Sequence, residues 1–538
     1  MTIRLTNSAV NNKSPNANVP NKKASLWEKT SIPGYTQAKE REKISMTRKK
    51  IWLALMVLGL LLTLYQVQTV LTEYGKYPIT TNIMVEEAPR QFLPAITVCT
   101  YNRIKCTFLQ RELNNCFAKN CSNLSHFCKL GLSSGCSLTM ALANVNNSQP
   151  VGFNKTCPDE AAKLEWSIKN SFNTSNIDDQ ELDDIFAAFD PEDRRKIGMN
   201  KELMVKICMA TKQNCSQFFE IKTTNIVSRG NCFGFNQNGS IQVRPGPTEG
   251  ITLEFYLARD EFIWHKLNNK EGLRVVLHQP REVPLIEELG VDVLPGTATS
   301  FSLHSKQIKR QPDPYPSKCV TSWNETLFTE EAFPIVKSRR YTQVGCTRFC
   351  LLEHLVFECD CIFDVYDDMN VRDLHREINV PPFDYCSMRN ETQRKCIDEQ
   401  YDRYNNEECR CQPSCNETIY EIQTSSLTWP SKIGWFYKSR ELNVSSFLFD
   451  YKPINTSMLD DEALIAPIRK DIQENLLRLD FYFASGSRTI IQEDPVYPDF
   501  FSLLTNLGGA LSLWMGISFI VVVEVLEVFI DSILKCIR

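Results

Sequence analysis

Histidine is scarce in this sequence: six occur among 538 residues, and no two of them stand at a metal-binding spacing. The chain also lacks a glycine-rich phosphate-binding loop. Without such motifs, the sequence does not favour an enzyme. We expect neither a cofactor nor a resident metal.

Acidic residues outnumber basic residues in the middle of the chain. Residues 1–50 carry eleven Lys and Arg against three acids, whereas residues 51–523 have a net charge of −11. An acidic surface of this size disfavours nucleic acid as a partner and suits a surface that faces cations.

Two long apolar runs are present. The first, Ile51 to Leu71, would be about 30 Å long as a helix, which matches the hydrocarbon core of a bilayer. Basic residues at 48–50 place the amino terminus in the cytosol. The second run, Leu507 to Ile530, returns the chain to the cytosol. We therefore predict a cytosolic tail (1–50), a first transmembrane helix (51–71), an extracellular cysteine-rich domain (72–502), a second transmembrane helix (503–532) and a short cytosolic tail (533–538), in the plasma membrane.

The cysteines agree with this topology. Of 21 cysteines, 20 lie between Cys99 and Cys415, which is typical of an oxidising exterior. Glycosylation sequons in the same loop are predicted at Asn123, Asn146, Asn154, Asn173, Asn214, Asn238, Asn324, Asn390, Asn416, Asn443 and Asn455.

Alternating apolar residues predict strands at 92–98, 251–258, 297–304 and 477–484. Helical patterns dominate 106–193 and 340–415. The predicted fold is a membrane protein with two transmembrane helices and a large, disulfide-rich α+β extracellular domain.

The segment LPAITVC (93–99) and the spacings C-x3-C-x8-C-x-C from Cys346 and C-x-C-x3-C from Cys409 resemble the degenerin, epithelial sodium channel and acid-sensing ion channel superfamily. The resemblance runs from about residue 31 to the end. It implies a palm, finger, thumb and knuckle architecture in a homo- or heterotrimer of related subunits.

The resemblance also implies seven disulfides: Cys99–Cys232, Cys208–Cys215, Cys319–Cys415, Cys346–Cys411, Cys350–Cys409, Cys359–Cys396 and Cys361–Cys386. Six cysteines have no assigned partner and are expected to form three further bridges in the finger region: Cys106, Cys116, Cys121, Cys128, Cys136 and Cys157.

The second apolar run contains Gly516, Ile517 and Ser518, which resemble the Gly-x-Ser selectivity filter of the superfamily. Gly509 matches the constriction outside that filter. Small residues let helices approach closely and expose carbonyls to an ion, although ordinary helix packing uses small residues too. The implied activity is an amiloride-sensitive channel that conducts sodium ions.

Three acids follow the filter at i, i+3 and i+7: Glu524, Glu527 and Asp531. Carboxylates are unfavourable in lipid, so one stripe of them should face water and form an inner, cation-attracting vestibule. Alternatively, Glu527 and Asp531 only reach the inner headgroups.

Gating residues follow from the resemblance alone. Tyr77 matches a tyrosine near the membrane, and Pro33-Gly34 stands where the superfamily has His-Gly. The acidic pocket of acid-sensing members maps to Glu254, Asp260, Glu261, Asp398, Asp402 and Asp480, where crowding would raise the pKa values of the carboxyls. The stimulus stays open between protons, a neuropeptide, mechanical force and constitutive opening.

Two other protein classes share the two-span plan. An ATP-gated trimeric channel would need a cluster of exterior lysines and a different cysteine pattern. A two-span glycoprotein receptor of the scavenger type would not need three acids beneath a Gly-x-Ser sequence.

Overall fold

The structure is a computed structural model. It describes residues 46–105, 191–226, 228–262, 270–326, 339–361, 386, 390–404, 409–442 and 461–518, together with 521, 523, 526, 529, 530 and 533. These residues divide into two units, one inside the range 79–494 and the other formed by the segments on either side of it.

The helices, in chain order, are α1 Met46–Tyr74, α2 Pro191–Ile197, α3 Lys201–Met204, α4 Ile286–Leu289, α5 Gln343–Cys359, α6 Glu391–Arg403, α7 Gly434–Glu441, α8 Glu462–Asn475 and α9 Phe500–Met515. The strands are β1 Ile79–Glu87, β2 Gln91–Phe92, β3 Ala95–Thr100, β4 Val205–Ala210, β5 Gln213–Asn214, β6 Lys222–Ile226, β7 Gly230–Phe235, β8 Gln242–Val243, β9 Ile251–Tyr256, β10 Leu273–His278, β11 Val291–Val293, β12 Thr297–Lys309, β13 Asn416–Thr428, β14 Leu476–Phe483 and β15 Ser487–Pro495.

The described residues of the unit 79–494 form two main sheets. One has the strand order β1-β15-β12-β14-β9-β4-β5, with β13 also paired to β12, and the other has the order β11-β10-β3-β7-β6. Strand β12 runs parallel to β14 and β15 but antiparallel to β13. The strands predicted at 251–258, 297–304 and 477–484 are confirmed as β9, β12 and β14.

The main core receives side chains from both sheets. Phe235 of β7 and Phe255 of β9 are fully buried, and their rings meet edge to face with centroids 6.1 Å apart. Phe301 of β12 stacks on Phe481 of β14 at 4.7 Å. Burying each such side chain contributes about 1.5–3 kcal/mol, so these aromatic pairs explain why the alternating segments adopt the strand conformation.

Disulfides staple this unit. The structure contains the seven pairs that the resemblance implies, and their residues are Cys99–Cys232, Cys208–Cys215, Cys319–Cys415, Cys346–Cys411, Cys350–Cys409, Cys359–Cys396 and Cys361–Cys386. The last five are nested, each inside the one before it. Nested pairs hold two chain segments antiparallel, which fixes α5 against α6 and the segment 409–415. The six cysteines from Cys106 to Cys157 lie outside the described residues.

In the other unit, the stretch Lys50–Tyr74 of α1 has 25 residues. Within the part of the chain that the structure describes, it is the helix that is long and apolar enough to cross a membrane. This stretch covers the predicted span 51–71. Helix α9 is apolar but has 16 residues, so the second transmembrane helix stays a prediction.

Candidate functional site

Helix α9 begins at a capping aspartate. Asp499 has an extended backbone, and its carboxylate accepts hydrogen bonds from the backbone N–H (2.7 Å) and the hydroxyl (2.8 Å) of Ser502. Such a side chain satisfies donors that the first helical turn leaves unpaired. The start of α9 is therefore fixed by local chemistry, three residues before the predicted boundary at 503.

The same helix ends inside the predicted filter sequence. Gly516 has φ +64°, in the left-handed region that glycine adopts without the steric cost of a Cβ. Its N–H donates to the carbonyl of Ser512 at 3.0 Å, and the N–H of Ile517 donates to Leu511 at 3.4 Å. Residues 516–518 are not helical, and Val521 is helical again. In membrane proteins, a break of this kind is where backbone carbonyl groups can turn from the helix toward an ion.

Gly509 lies within α9, six residues before its last residue, Met515, and is exposed. A Cβ built on Gly509 would meet no heavy atom within 4 Å among the described residues, and the same is true of Gly508. Packing inside the described chain therefore does not require glycine at 509. Its role as a constriction stays a prediction, as does the role of Gly516, Ile517 and Ser518 as a filter.

Several predicted site residues lie outside the described residues: Glu524, Glu527 and Asp531 of the vestibule and the Pro33-Gly34 pair. Asp260 is described only in its backbone. The roles predicted for them stay predictions.

Tyr77 follows the end of α1 and also has a left-handed backbone, at φ +49°. Its ring lies 6.2 Å from that of Tyr74, which in turn meets Tyr497 edge to face at 5.7 Å. The N–H of Val496 donates to the carbonyl of Pro78 at 3.0 Å. The segments that follow α1 and precede α9 are thus joined by aromatic contacts and a backbone hydrogen bond.

Two of the predicted gating acids have cations as neighbours. Glu254 of β9 is 2% exposed, and its carboxylate accepts from Lys438 of α7 at 3.0 Å and from Arg478 of β14 at 3.4 Å. Arg478 also donates to Asp480 at 2.9 Å, and the Thr252 hydroxyl donates to Asp480 at 2.6 Å. The expected crowding of like charges is therefore not what surrounds Glu254 and Asp480.

The neighbouring acids raise the pKa values of the two cations in this cluster. Burial alone would lower the pKa of Lys438, but its hydrogen bonds to Glu441 and Glu254 raise that pKa overall. The hydrogen bond to Asp480 raises the pKa of Arg478. Lys438 and Arg478 therefore stay charged and compensate the buried carboxylate of Glu254.

The remaining predicted acids sit on other elements. Asp398 and Asp402 are exposed on α6, and Glu261 belongs to the short 3-10 turn after β9. Their roles in gating stay predictions. Among the predicted glycosylation sites that are described, all five asparagines are exposed: Asn214, Asn238, Asn324, Asn390 and Asn416. The predicted sites Asn123, Asn146, Asn154, Asn173, Asn443 and Asn455 lie outside the described residues.

Two residues with notable polar contacts were not predicted from the sequence. Glu282, between β10 and α4, is half-buried and accepts from the N–H of Gln279 at 2.9 Å, and burial raises the pKa of its carboxyl to about 7. Gln66, a polar residue inside the apolar helix α1, accepts a hydrogen bond from Trp514 of α9. A polar side chain in a predicted span was itself a signal, since it needs a partner there; nothing local marked Glu282.

These features define the class: a membrane protein with a disulfide-rich domain of mixed helices and strands. Residues 26–528 match the family model described as amiloride-sensitive sodium channel. The chain therefore belongs to the amiloride-sensitive sodium channel family, and the resemblance to the degenerin and epithelial sodium channel superfamily is confirmed.

Individual relatives agree. The chain is 26% identical to epithelial sodium channel subunit beta of Mus musculus over 411 residues, covering 74% of this chain and 57% of that protein. It is 24% identical to the Homo sapiens subunit beta, covering 74% and 56%, and 24% identical to degenerin del-1 of Caenorhabditis elegans, covering 62% and 45%. The chain thus spans about half the length of the curated relatives it matches.

Proposed function

We propose that this chain is one subunit of a trimeric, sodium-selective cation channel of the plasma membrane, with both termini in the cytosol and the disulfide-rich domain outside. The observation that carries the proposal is the end of α9 at the left-handed Gly516, within a Gly-Ile-Ser sequence, in a member of a sodium channel family.

The chemistry follows from that break. Three copies of residues 516–518 around an axis would offer carbonyl oxygens and the Ser518 hydroxyl to a partly dehydrated ion, which replaces its lost hydration shell. The three acids that follow in the sequence would raise the local cation concentration at the inner end of the path. No covalent step is needed, since the protein only provides a polar route through an apolar barrier.

Assembly and control are part of the same proposal. Curated relatives carry names that describe them as subunits, which supports a homo- or heterotrimer of related chains. We expect amiloride to block the current and the extracellular domain to gate it, with protons or a neuropeptide as the ligand.

The alternatives are less well supported. A scavenger-type receptor has no need of a glycine-ended apolar helix followed by three acids. An ATP-gated trimer is disfavoured by the nested cysteine pattern and by family membership. Each alternative remains an outcome of the test below.

The test is voltage clamp of oocytes that express the full chain, in sodium and potassium solutions, with amiloride. Replacing Gly516 by Ala or Ser518 by Val is expected to abolish the sodium current or its selectivity. If the wild type is silent, Gly509→Phe is expected to open it, and Gly508→Phe is the matched control one residue away. A sodium current that is indifferent to Gly516 and Ser518, at equal surface expression, would contradict the proposal.

A further inference from the structure

A hydrogen bond joins the two apolar helices beside the break. The indole N–H of Trp514, two residues before Gly516, donates to Oε1 of Gln66 at 2.5 Å. Gln66 lies about 24 Å along the apolar stretch that starts at Lys50, where lipid would offer its amide no partner. An indole N–H can only donate, so the amide oxygen satisfies it and both groups gain a partner inside the membrane.

A second contact involves the backbone of Trp514. Gly59 of α1 is buried, and a Cβ built there would lie 2.9 Å from the carbonyl oxygen of Trp514 and 3.6 Å from Sδ of Met515. Only glycine therefore allows this approach. Thr63, 3% exposed, turns its hydroxyl onto its own helix and donates to the Gly59 carbonyl at 2.8 Å.

Both contacts lie on one face of α1, because Gly59 and Gln66 are seven residues, or two turns, apart. The carbonyl of Trp514 rests on Gly59, and its indole is bonded to Gln66. Residue 514 is thus held at two points, so its rotation about the α9 axis and its distance from α1 are both determined.

We propose that Gln66 is a positioning residue for ion selectivity, which it controls through Trp514. This inference rests on the proposed channel function. The direction of the carbonyls at 516–518 depends on how the last turn of α9 is oriented, and that turn contains Trp514. Losing the hydrogen bond lets the turn rotate and loosens the carbonyls that select the ion.

The experiment measures the sodium-to-potassium permeability ratio from reversal potentials, which do not depend on how many channels reach the surface. The full chain is compared with Gln66→Leu, Trp514→Phe and the double variant. Each single change is expected to lower the ratio at least about threefold, as for loss of an interhelical hydrogen bond, and the double variant to lower it no further. Gln68→Leu, which changes an exposed glutamine on the same helix, is the matched control and should leave the ratio unchanged.

The outcomes separate this inference from the channel proposal. If Gly516 and Ser518 variants change the ratio but Gln66→Leu and Trp514→Phe do not, the positioning role is wrong and the channel stands. Equal effects of Gln66→Leu and Gln68→Leu would also overturn it. If even the Gly516 and Ser518 variants leave the ratio unchanged, the channel proposal itself fails.

A second measurement does not need a current. Cysteines introduced in place of Gln66 and Trp514 should be joined in membranes by a flexible bifunctional thiol reagent whose span matches the combined length of the two native side chains, whereas cysteines in place of Gln68 and Trp514 should not. Cross-linking of the first pair alone supports the contact. Its absence, or equal cross-linking of both pairs, overturns the inference.

Discussion

At the scale of single residues, Glu282 shows how burial can outweigh a hydrogen bond and a nearby cation in setting the pKa of a carboxyl. Its carboxyl accepts one backbone N–H, from Gln279, and has Arg340 and Glu417 in electrostatic range. Burial is the main cause that raises its pKa to about 7, while the N–H and Arg340 lower it. Folding therefore favours the protonated form of Glu282 over the ionised form.

This pKa has a defined effect on the pH dependence of stability. Because the folded pKa lies above the unfolded value, the contribution of Glu282 is fully present below about pH 4.5 and is lost as pH rises through about 7. We expect Glu282→Gln to raise the free energy of unfolding at pH 8 by about 3 kcal/mol relative to wild type and to change it little at pH 4.5.

Chemical unfolding of the purified full chain at both pH values measures this difference. The comparison with wild type cancels other titrations, such as that of buried His278, whose pKa burial lowers to about 4. Glu202→Gln, at an exposed carboxylate, is the control. A stability difference for Glu282→Gln that does not vary with pH would contradict the assignment.

Lys438 and Glu254 provide the second residue-scale prediction. Lys438→Met removes the closer of the two cations that face a carboxylate 2% exposed, so we expect a loss of about 3 kcal/mol in the free energy of unfolding. Glu254→Gln added to that variant should restore part of the loss, because the buried carboxylate that lost its closer cation is then replaced by a neutral amide.

The matched control is the exposed pair Lys395 and Glu391, at 2.8 Å on α6. Loss of this ion pair should lower the free energy of unfolding by less than about 0.5 kcal/mol. Equal effects at the two pairs, measured by denaturant unfolding, would show that burial does not determine the cost.

At the scale of elements, the nested disulfides hold α5 by its first turns. Cys346 and Cys350 are one turn apart on α5 and pair with Cys411 and Cys409, in reverse order along the chain. Thr342 caps the helix by accepting from the N–H of Gly345. The helix is thus fixed in direction and in register by covalent bonds, and packing of Phe349 against Trp323 completes the contact.

The disulfide prediction concerns loop length. The bridge Cys99–Cys232 is not part of the nest around α5, so replacing both of its cysteines by serine opens its whole closure of 133 residues, and we expect a loss of about 5 kcal/mol in the free energy of unfolding. The same change at Cys208 and Cys215, which are seven residues apart, should cost about 2.5 kcal/mol. Thermal and denaturant unfolding of both variants test the difference; the reverse order would show that native packing, and not chain closure, dominates.

Local patterns made some elements predictable and left others hidden. Strand β12 follows from alternation in TATSFSLH, because burial with period two is a property of the segment itself. The pair Lys438–Glu254 joins residues 184 apart, and Gln66–Trp514 joins residues 448 apart. No local spacing encodes such pairs; they exist only once the strands and helices have packed.

The predicted site divides in the same way. Gly516 was identified by its resemblance to the Gly-x-Ser filter sequence, and the structure places its backbone in the left-handed region. The resemblance to acid-sensing members pointed to Glu254 and Asp480 as crowded acids, yet each has a cation as its neighbour. A sequence shows which residues are charged, but it does not show which oppositely charged residues lie beside them in the folded chain.

At the scale of the whole molecule, one chain forms two units whose surfaces suit different solvents. The unit 79–494 is held by paired sheets, buried aromatics and disulfides, which suit an oxidising aqueous exterior. The other unit presents apolar side chains along α1 and is held by close helix contact and a hydrogen bond, which suit lipid. The proposed channel requires that α9 and the residues after it face water on one side.

Accessibility of introduced cysteines tests that requirement most directly. In oocytes expressing the full chain, a charged, water-borne thiol reagent is applied to channels with cysteine in place of Gly516, Ser518 or Glu524, with Leu64→Cys on α1 as the lipid-facing control. The account predicts that the reagent inhibits the cation current carried by the first three variants, whether or not the altered filter still selects sodium, and leaves the current of the control unchanged. Equal insensitivity at all four positions, in variants that conduct, would contradict a water-filled path along the carboxy-terminal helix.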